Sequence, residues 1–333
     1  MKCNLQALIH ASINRGFCGC LAACRAPLAV DWQRSDMFAI GWALVVSNVI
    51  SCIPTIPAIV FPVNSEKFES YAAKFFDKMP SAQDLPLLNL MMKFQFGALF
   101  ALYVLGVFAG IYCPTTLIGY MFAAGNLVHV LYFGFNIYGD AEKMAMSGMS
   151  AKQLNIILIV QSVLGVVIAA CTYISSQDDE YQAWLAVAES DAVAKWEKYG
   201  FYCKFLLGAH GFFMLTSIPG VLAPSMAIKQ YVPVEGKLPT EKGASIVLEF
   251  VMGFQQLVIL MLQAFGAVMI WYSPVIDPIA IFWMLFGGVY FTVLIFAFNI
   301  LKADEYGFDR MPMIIFMVLN TFIAGASLQA YFE

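Results

Sequence analysis

Few residues in this chain are equipped for chemistry, and most of them stand inside long apolar runs. The amides come first. Phe94-Gln95 recurs as Phe254-Gln255, and Phe133-Gly134-Phe135-Asn136-Ile137 recurs as Phe296-Ala297-Phe298-Asn299-Ile300. Amides in apolar helices either hydrogen-bond between helices, worth about 0.6 kcal/mol each on average, or line a polar path for a solute. The prolines are matched too: Ser51-Cys52-Ile53-Pro54 parallels Thr216-Ser217-Ile218-Pro219, with Pro57 and Pro62 following the first and Pro224 the second. Each Pro removes a backbone donor and frees a carbonyl. Interrupted segments at corresponding positions of two halves point to a substrate site, and kinks tolerated by neighbouring helices are the plainer alternative. The solute-path candidates are therefore Pro54, Pro57, Gln95, Asn136, Pro219, Gln255 and Asn299.

Ionisable groups are rarer. His129 and His210 lie within apolar runs, where an imidazole is a candidate ligand for a haem or chlorophyll metal. Neither is duplicated and no ligand motif surrounds them, so no cofactor is expected and metal or pigment binding at either is the minor option. Lys93 and Glu249 each stand one turn inside a run. They are expected either to pair with each other or to snorkel to the headgroups. No acidic residue lies near the middle of any run, which argues against a proton relay. There is no Gly-rich phosphate loop, no His/Glu metal-ligand spacing and no Ser/His/Asp set, so the chain does not read as an enzyme.

The elements that hold these residues follow from composition. The chain is 61% hydrophobic and 12% charged, with mean hydropathy +0.76, whereas soluble domains carry about 25% charged residues. A spanning helix needs about 20 apolar residues. Eight such runs are found, near 37–63, 89–113, 115–137, 152–174, 201–228, 246–272, 276–301 and 311–331. In a bilayer every backbone polar group must be satisfied internally, so these runs should be helices. The net charge of −4 and the absence of a basic stripe exclude nucleic acid as a partner.

The runs are written twice. Gly106/Gly266, Tyr112/Tyr272 and Pro114/Pro274 share the offset of Phe94/Phe254; Met121/Met284, Gly125/Gly288 and Val130-Leu131/Val293-Leu294 share a second. Such repeats define architecture. The expected fold is an all-α integral membrane protein, eight transmembrane helices as a parallel tandem repeat of two four-helix units. An even number of spans per unit puts the pseudo-twofold along the membrane normal. In span count, and in an amphipathic helix after the first span, each half resembles four-helix membrane proteins of the DoxX-like type. The resemblance implies a four-helix unit and no particular activity.

Four regions result: an arm at 1–35, repeats at 36–175 and 199–333, and an acidic interfacial linker helix at 176–198. The arm carries Lys2, Arg15, Arg25 and Arg34, with Leu5, Leu8, Ile9 and Ile13 at helical spacing. It reads either as a mitochondrial or plastid targeting segment or as a solvated, membrane-surface arm. Its Cys18, Cys20 and Cys24 lack a fourth zinc ligand beyond His10. Residues 65–79 put Phe68, Tyr71, Phe75 and Phe76 on one face, and Asp178-Asp179-Glu180 caps the linker helix. The loops after spans one, three, five and seven hold Lys67, Lys74, Lys78, Lys143, Lys152, Lys229, Lys237, Lys242, Lys302 and Arg310; the opposite loops hold Lys195 and Lys198. Those four loops therefore face the cytoplasm-equivalent side, with the C-terminus opposite. Two functions fit: binding or passage of a small uncharged or amphipathic solute between the repeats, or a non-catalytic accessory subunit of a larger membrane complex in an organelle membrane. Membrane lipids are partners in both, and other membrane subunits in the second.

Overall fold

The computed structural model describes residues 38–232, 238–273, 277–288 and 301–332. Among these it is helical throughout, with one isolated antiparallel bridge between Phe76 and Met149 and no strand. The elements are α1 (Ala39–Cys52), α2 (Ile56–Val60), α3 (Glu66–Ala72), α4 (Leu85–Tyr112), α5 (Thr116–Phe133), α6 (Ala141–Ser147), α7 (Ala151–Ser176), α8 (Asp179–Leu222), α9 (Pro224–Tyr231), α10 (Lys242–Tyr272), α11 (Asp277–Trp283), α12 (Ala303–Tyr306) and α13 (Arg310–Phe332). Seven helices are long and apolar enough to cross a membrane, as a multi-pass membrane protein requires. The seventh expected span is described only from 277 to 288, where Pro278–Gly288 is a shorter apolar helix. Its remainder, with Asn299, and the basic arm lie outside the described residues.

α4 and α10 form the centre, each 67% buried over its most apolar stretch, against 22–44% for the other five. Around them α1 packs on α4, α8 on α10, α5 on α7, and α11 on α13, while α4 and α10 pack on each other. Gly110 permits the α1 contact, since a Cβ there would stand 2.7 Å from the Gly41 carbonyl.

Local chemistry sets the boundaries. Thr115 caps α5 through Ile118 N at 3.4 Å, and Asp178 caps α8 through Glu180 N and Tyr181 N at 2.8 and 3.2 Å. Pro54 turns the first span into a 3-10 segment, Ile53–Thr55, before α2 resumes the α-helix. The linker helix is continuous with the fifth span in α8, marked only by non-helical Tyr199 (φ −112°, ψ 23°). That span stops at Leu222, earlier than expected, because Pro224 restarts the chain as α9.

The segment expected as one interfacial helix at 65–79 differs more. α3 ends at Ala72, a 3-10 turn runs to Phe75, and Phe76 is extended. Its apolar face is not presented to lipid. Phe68 and Tyr71 are buried, and the Tyr71 hydroxyl donates to the Pro54 carbonyl at 2.6 Å. Burial pushes that phenol well above its ordinary value. The extended segment is pinned by Ser150 N donating to Phe75 O at 2.8 Å and Asp77 N to Gly148 O at 2.9 Å. Gly148 has φ +67°, and a Cβ there would collide with the Lys78 carbonyl, so glycine is required.

The helix spanning 179–198 lies across the C-terminal ends of both central helices. Near its start the Tyr181 hydroxyl donates to Pro114 O at 3.1 Å, just past α4. Near its end Lys195 Nζ donates to the carbonyls of Ile270 and of Ser273 (2.6 Å) as α10 finishes. α4 and α10 therefore run in the same direction. The basic end group suits the negative pole of α10.

Candidate functional site

Two partly open internal cavities flank the central pair. The first, about 110 Å³, lies among α8, α10 and α13, with Gln255, Gln256 and Gln263 from α10, Ser217 from α8 and Asn320 from α13 in its wall. α4 closes it with Met91 and Phe94. The second, about 80 Å³, lies among α4, α5 and α7, with Gln95 and Tyr103 from α4, His129 from α5 and Gln161 from α7. α10 closes it with Val251 and Phe254. Thr216 adds a hydroxyl to the first, the other wall residues are apolar or aromatic, and among the described residues no carboxylate or ammonium reaches either cavity.

Hydrogen bonding in these clusters is incomplete. Among the described residues, four buried side-chain atoms make no hydrogen bond of ordinary geometry: His129 Nε2 and Gln161 Oε1 on one side, which stand near enough to interact with each other, and His210 Nε2 and Gln255 Oε1 on the other. Gln161 Nε2 donates to the Tyr103 hydroxyl at 3.3 Å, which leaves its oxygen open. His210 Nδ1 sits 2.7 Å from Gln263 Oε1. An amide oxygen only accepts, so Nδ1 carries the proton and Nε2 of the neutral ring presents a lone pair. The ring stands edge-on to Trp283, centroids 4.8 Å apart, and against Gly266, where a Cβ would meet Cε1 at 2.5 Å.

The expected site residues divide. Gln95 and Gln255 line the cavities, one in each. Pro54, Pro219 and Asn136 do not: all three are exposed, and Asn136 bonds back to Tyr132 O in its own helix at 3.0 Å. Pro57 is half-buried and borders an open groove with Phe61 and Lys67. The prolines instead arrange carbonyls. Pro62 cannot donate to Ala58 O, and the side chain that does is Lys93. Its Nζ lies 3.2 Å from Ala58 O, 3.0 Å from Ile59 O and 2.8 Å from Phe61 O, capping the end of α2. The expected Lys93–Glu249 pair does not form. Lys93 is 6% exposed with all three protons directed at those carbonyls, and Glu249 is exposed. Snorkelling is corrected with it, since Lys93 turns inward.

Both histidines are buried, His129 at 4% and His210 at 1% exposure. Among the described residues no three His, Cys, Asp or Glu side chains gather around a metal-sized site. Tyr103, Gln161, Gln263, Asn320 and Ser217 are wall residues outside the set expected from the sequence. Their signal was a polar atom at a helix position otherwise surrounded by Leu, Met and Phe. Comparison with protein-family models, curated proteins and solved structures finds no match to the chain.

Proposed function

We propose that the chain is a non-catalytic, two-repeat membrane protein that binds a small, uncharged, amphipathic solute in a cavity of each half and passes it along the central pair. The observation that carries the reading is the placement of the unpartnered polar atoms: His129 and Gln161 line the smaller cavity, Gln255 lines the larger, and His210 stands behind the larger one's wall residues Gln263 and Trp283. Leaving such a group buried and unpaired costs about 1–3 kcal/mol, so each cavity is completed by an occupant that bonds to it. The apolar walls favour the rest of an amphipathic molecule. At about 80 and 110 Å³, the cavities suit a few ordered waters or a solute of a few heavy atoms, since one water needs about 10–15 Å³ by the same measure.

The repeat supports the pairing. Met92/Met252, Gln95/Gln255, Leu99/Ile259 and Tyr103/Gln263 face the two cavities at one offset, and Leu154/Met313, Ile157/Phe316 and Gln161/Asn320 at another. Val251-Phe254 closing one and Met91-Phe94 closing the other hold the first offset in reverse, as a twofold between α4 and α10 requires. The eighth span completes the second unit in this reading. The solute therefore sits within each half, walled by the other half's central helix, and the matched prolines serve the scaffold. The basic loops orient the protein with its C-terminus away from the cytoplasm-equivalent side, and the arm favours an organelle membrane.

The test uses the purified full chain in lipid nanodiscs, with unfolding followed against a panel of short diols, amides and small phenols. A solute at a hundred times its Kd raises stability by about 2.7 kcal/mol. Ala98, in the wall of the larger cavity, is changed to Leu. Native mass spectrometry should then show bound solute falling from two to one, with liposome uptake of that solute reduced. No stabilising solute from the panel, or an unchanged ratio in Ala98→Leu, refutes the reading. Recovery of the chain only in a large hetero-assembly after mild extraction favours the accessory-subunit role.

A further inference from the structure

A third recess lies at the surface, where the 179–198 stretch of α8 crosses the C-terminal end of α10. Its volume is about 370 Å³ and its wall is Glu189, Ala192, Val193, Trp196, Trp271 and Tyr272. The first four share one helix face by their spacing. Trp271 and Tyr272 are the last two residues of α10 and form the facing wall. The Trp196 and Trp271 rings stand 5.0 Å apart at 58°, an open corner and not a stack. The corner is pinned because Trp196 Nε1 donates to the Trp271 carbonyl at 3.3 Å. Trp271 is 54% and Tyr272 36% exposed, so both keep open ring surface.

We infer that this corner binds a trimethylammonium group. Two features favour a cation: electron-rich ring faces and the Glu189 carboxylate. Ala192, buried, and Val193, exposed, add apolar wall and no acceptor. A metal ion or a primary ammonium would exchange its hydration shell for the single Glu189 carboxylate and leave its other bonding positions unmet. A quaternary ammonium has no N–H to satisfy and is the cation aromatic cages suit. The opposing charges are Lys195 and Lys198. Lys195 Nζ is 6.0 Å from the Trp196 centroid, with protons engaged by Ile270 and Ser273 carbonyls. Lys198 Nζ lies over Tyr199 at 4.5 Å, outside the recess wall. Glu189 has no ion-pair partner among the described residues. The inference is independent of the solute reading, which concerns the two internal cavities.

The group is supplied either by a choline-type lipid headgroup or by a soluble quaternary amine. Tetramethylammonium chloride titrated into the full chain in detergent, against ammonium chloride, tests the class. Tetramethylammonium should bind saturably and about tenfold tighter than ammonium. Glu189→Gln should weaken it severalfold, Trp271→Leu should abolish it, and Trp271→Phe should retain part. Native mass spectrometry from mixed phosphocholine and phosphoethanolamine bicelles then assigns the source. Selective retention of the phosphocholine lipid, lost in Trp271→Leu, supports a headgroup; tetramethylammonium binding without lipid selection supports a soluble amine. Equal binding of the two ammonium salts, or unchanged binding in Glu189→Gln and Trp271→Leu alike, overturns the inference.

Discussion

Replacing Lys93 with Met keeps the length of the side chain and removes its three donors. In the structure those donors reach Ala58 O, Ile59 O and Phe61 O at 3.2, 3.0 and 2.8 Å. A hydrogen bond to a charged group contributes about 1.5–3 kcal/mol, so the gross loss is about 4.5–9 kcal/mol. Against this, the variant no longer desolvates an ammonium, a penalty of several kcal/mol. The carbonyls stay unpaired, Ala58 O in particular, because Pro62 supplies no N–H. The balance is a destabilisation of about 2–4 kcal/mol. Reversible unfolding in mixed micelles titrated with denaturing detergent measures it directly. Glu249→Gln, at an exposed position, should change stability by less than about 0.5 kcal/mol. A Lys93→Met loss below about 0.5 kcal/mol would refute the capping role. So would rescue of a Lys93→Glu variant by Glu249→Lys, which only a direct ion pair explains.

Two further outcomes are expected. A Cβ at Gly106 would overlap the Asn48 carboxamide, so Gly106→Ala should cost about 1–2 kcal/mol by overpacking, and adding Asn48→Ala should recover most of it in the same unfolding assay. Tyr71→Phe removes the bond to Pro54 O and should cost about 1 kcal/mol near neutral pH. Burial raises the Tyr71 phenol above its ordinary 10.0, so the unfolded chain gives up that proton first as pH climbs. Wild-type stability should then fall above about pH 10, less steeply in Tyr71→Phe; identical alkaline slopes would argue against a buried neutral phenol.

Much of the scaffold was legible because membrane helices declare themselves by length and lack of charge. The Gln95/Gln255 pair was readable as a polar residue among apolar neighbours, and the Asp178 cap as a run of acids where a helix begins. What was not legible depended on direction. Periodicity does not say which way Lys93 turns, and its partner proved to be three carbonyls and not a carboxylate. Nor does a proline reveal whether its freed carbonyl faces a solute or a lysine. Asn136 shared a repeated motif but faces outward. Gln161 and Asn320 escaped pairing because the apparent frame of their helices, set by Ile156-Ile157 and Ile314-Ile315, is one residue away from the frame of the cavity walls. The cavities themselves gather residues from four or more helices, and no window along the chain contains them.

The placement of charge against neutral polarity bears on what the interior accommodates. Both deeply buried ammonium groups, Lys93 at 6% and Lys195 at 5% exposure, end on carbonyls at helix C-termini. Lys93 compensates a proline, since Pro62 cannot donate to Ala58 O four residues back. Such charges are committed to the scaffold; freeing either to meet a ligand would strand carbonyls at a cost of about 1–3 kcal/mol each. The atoms left without partners are of the other kind, two imidazole nitrogens and two amide oxygens. Neutral groups in apolar walls reject an ion, whose desolvation they cannot repay, and accept a molecule that brings one or two hydrogen bonds and an apolar body. That division, charges at the helix ends and neutral polar atoms beside the cavities, is why the proposed solute is uncharged.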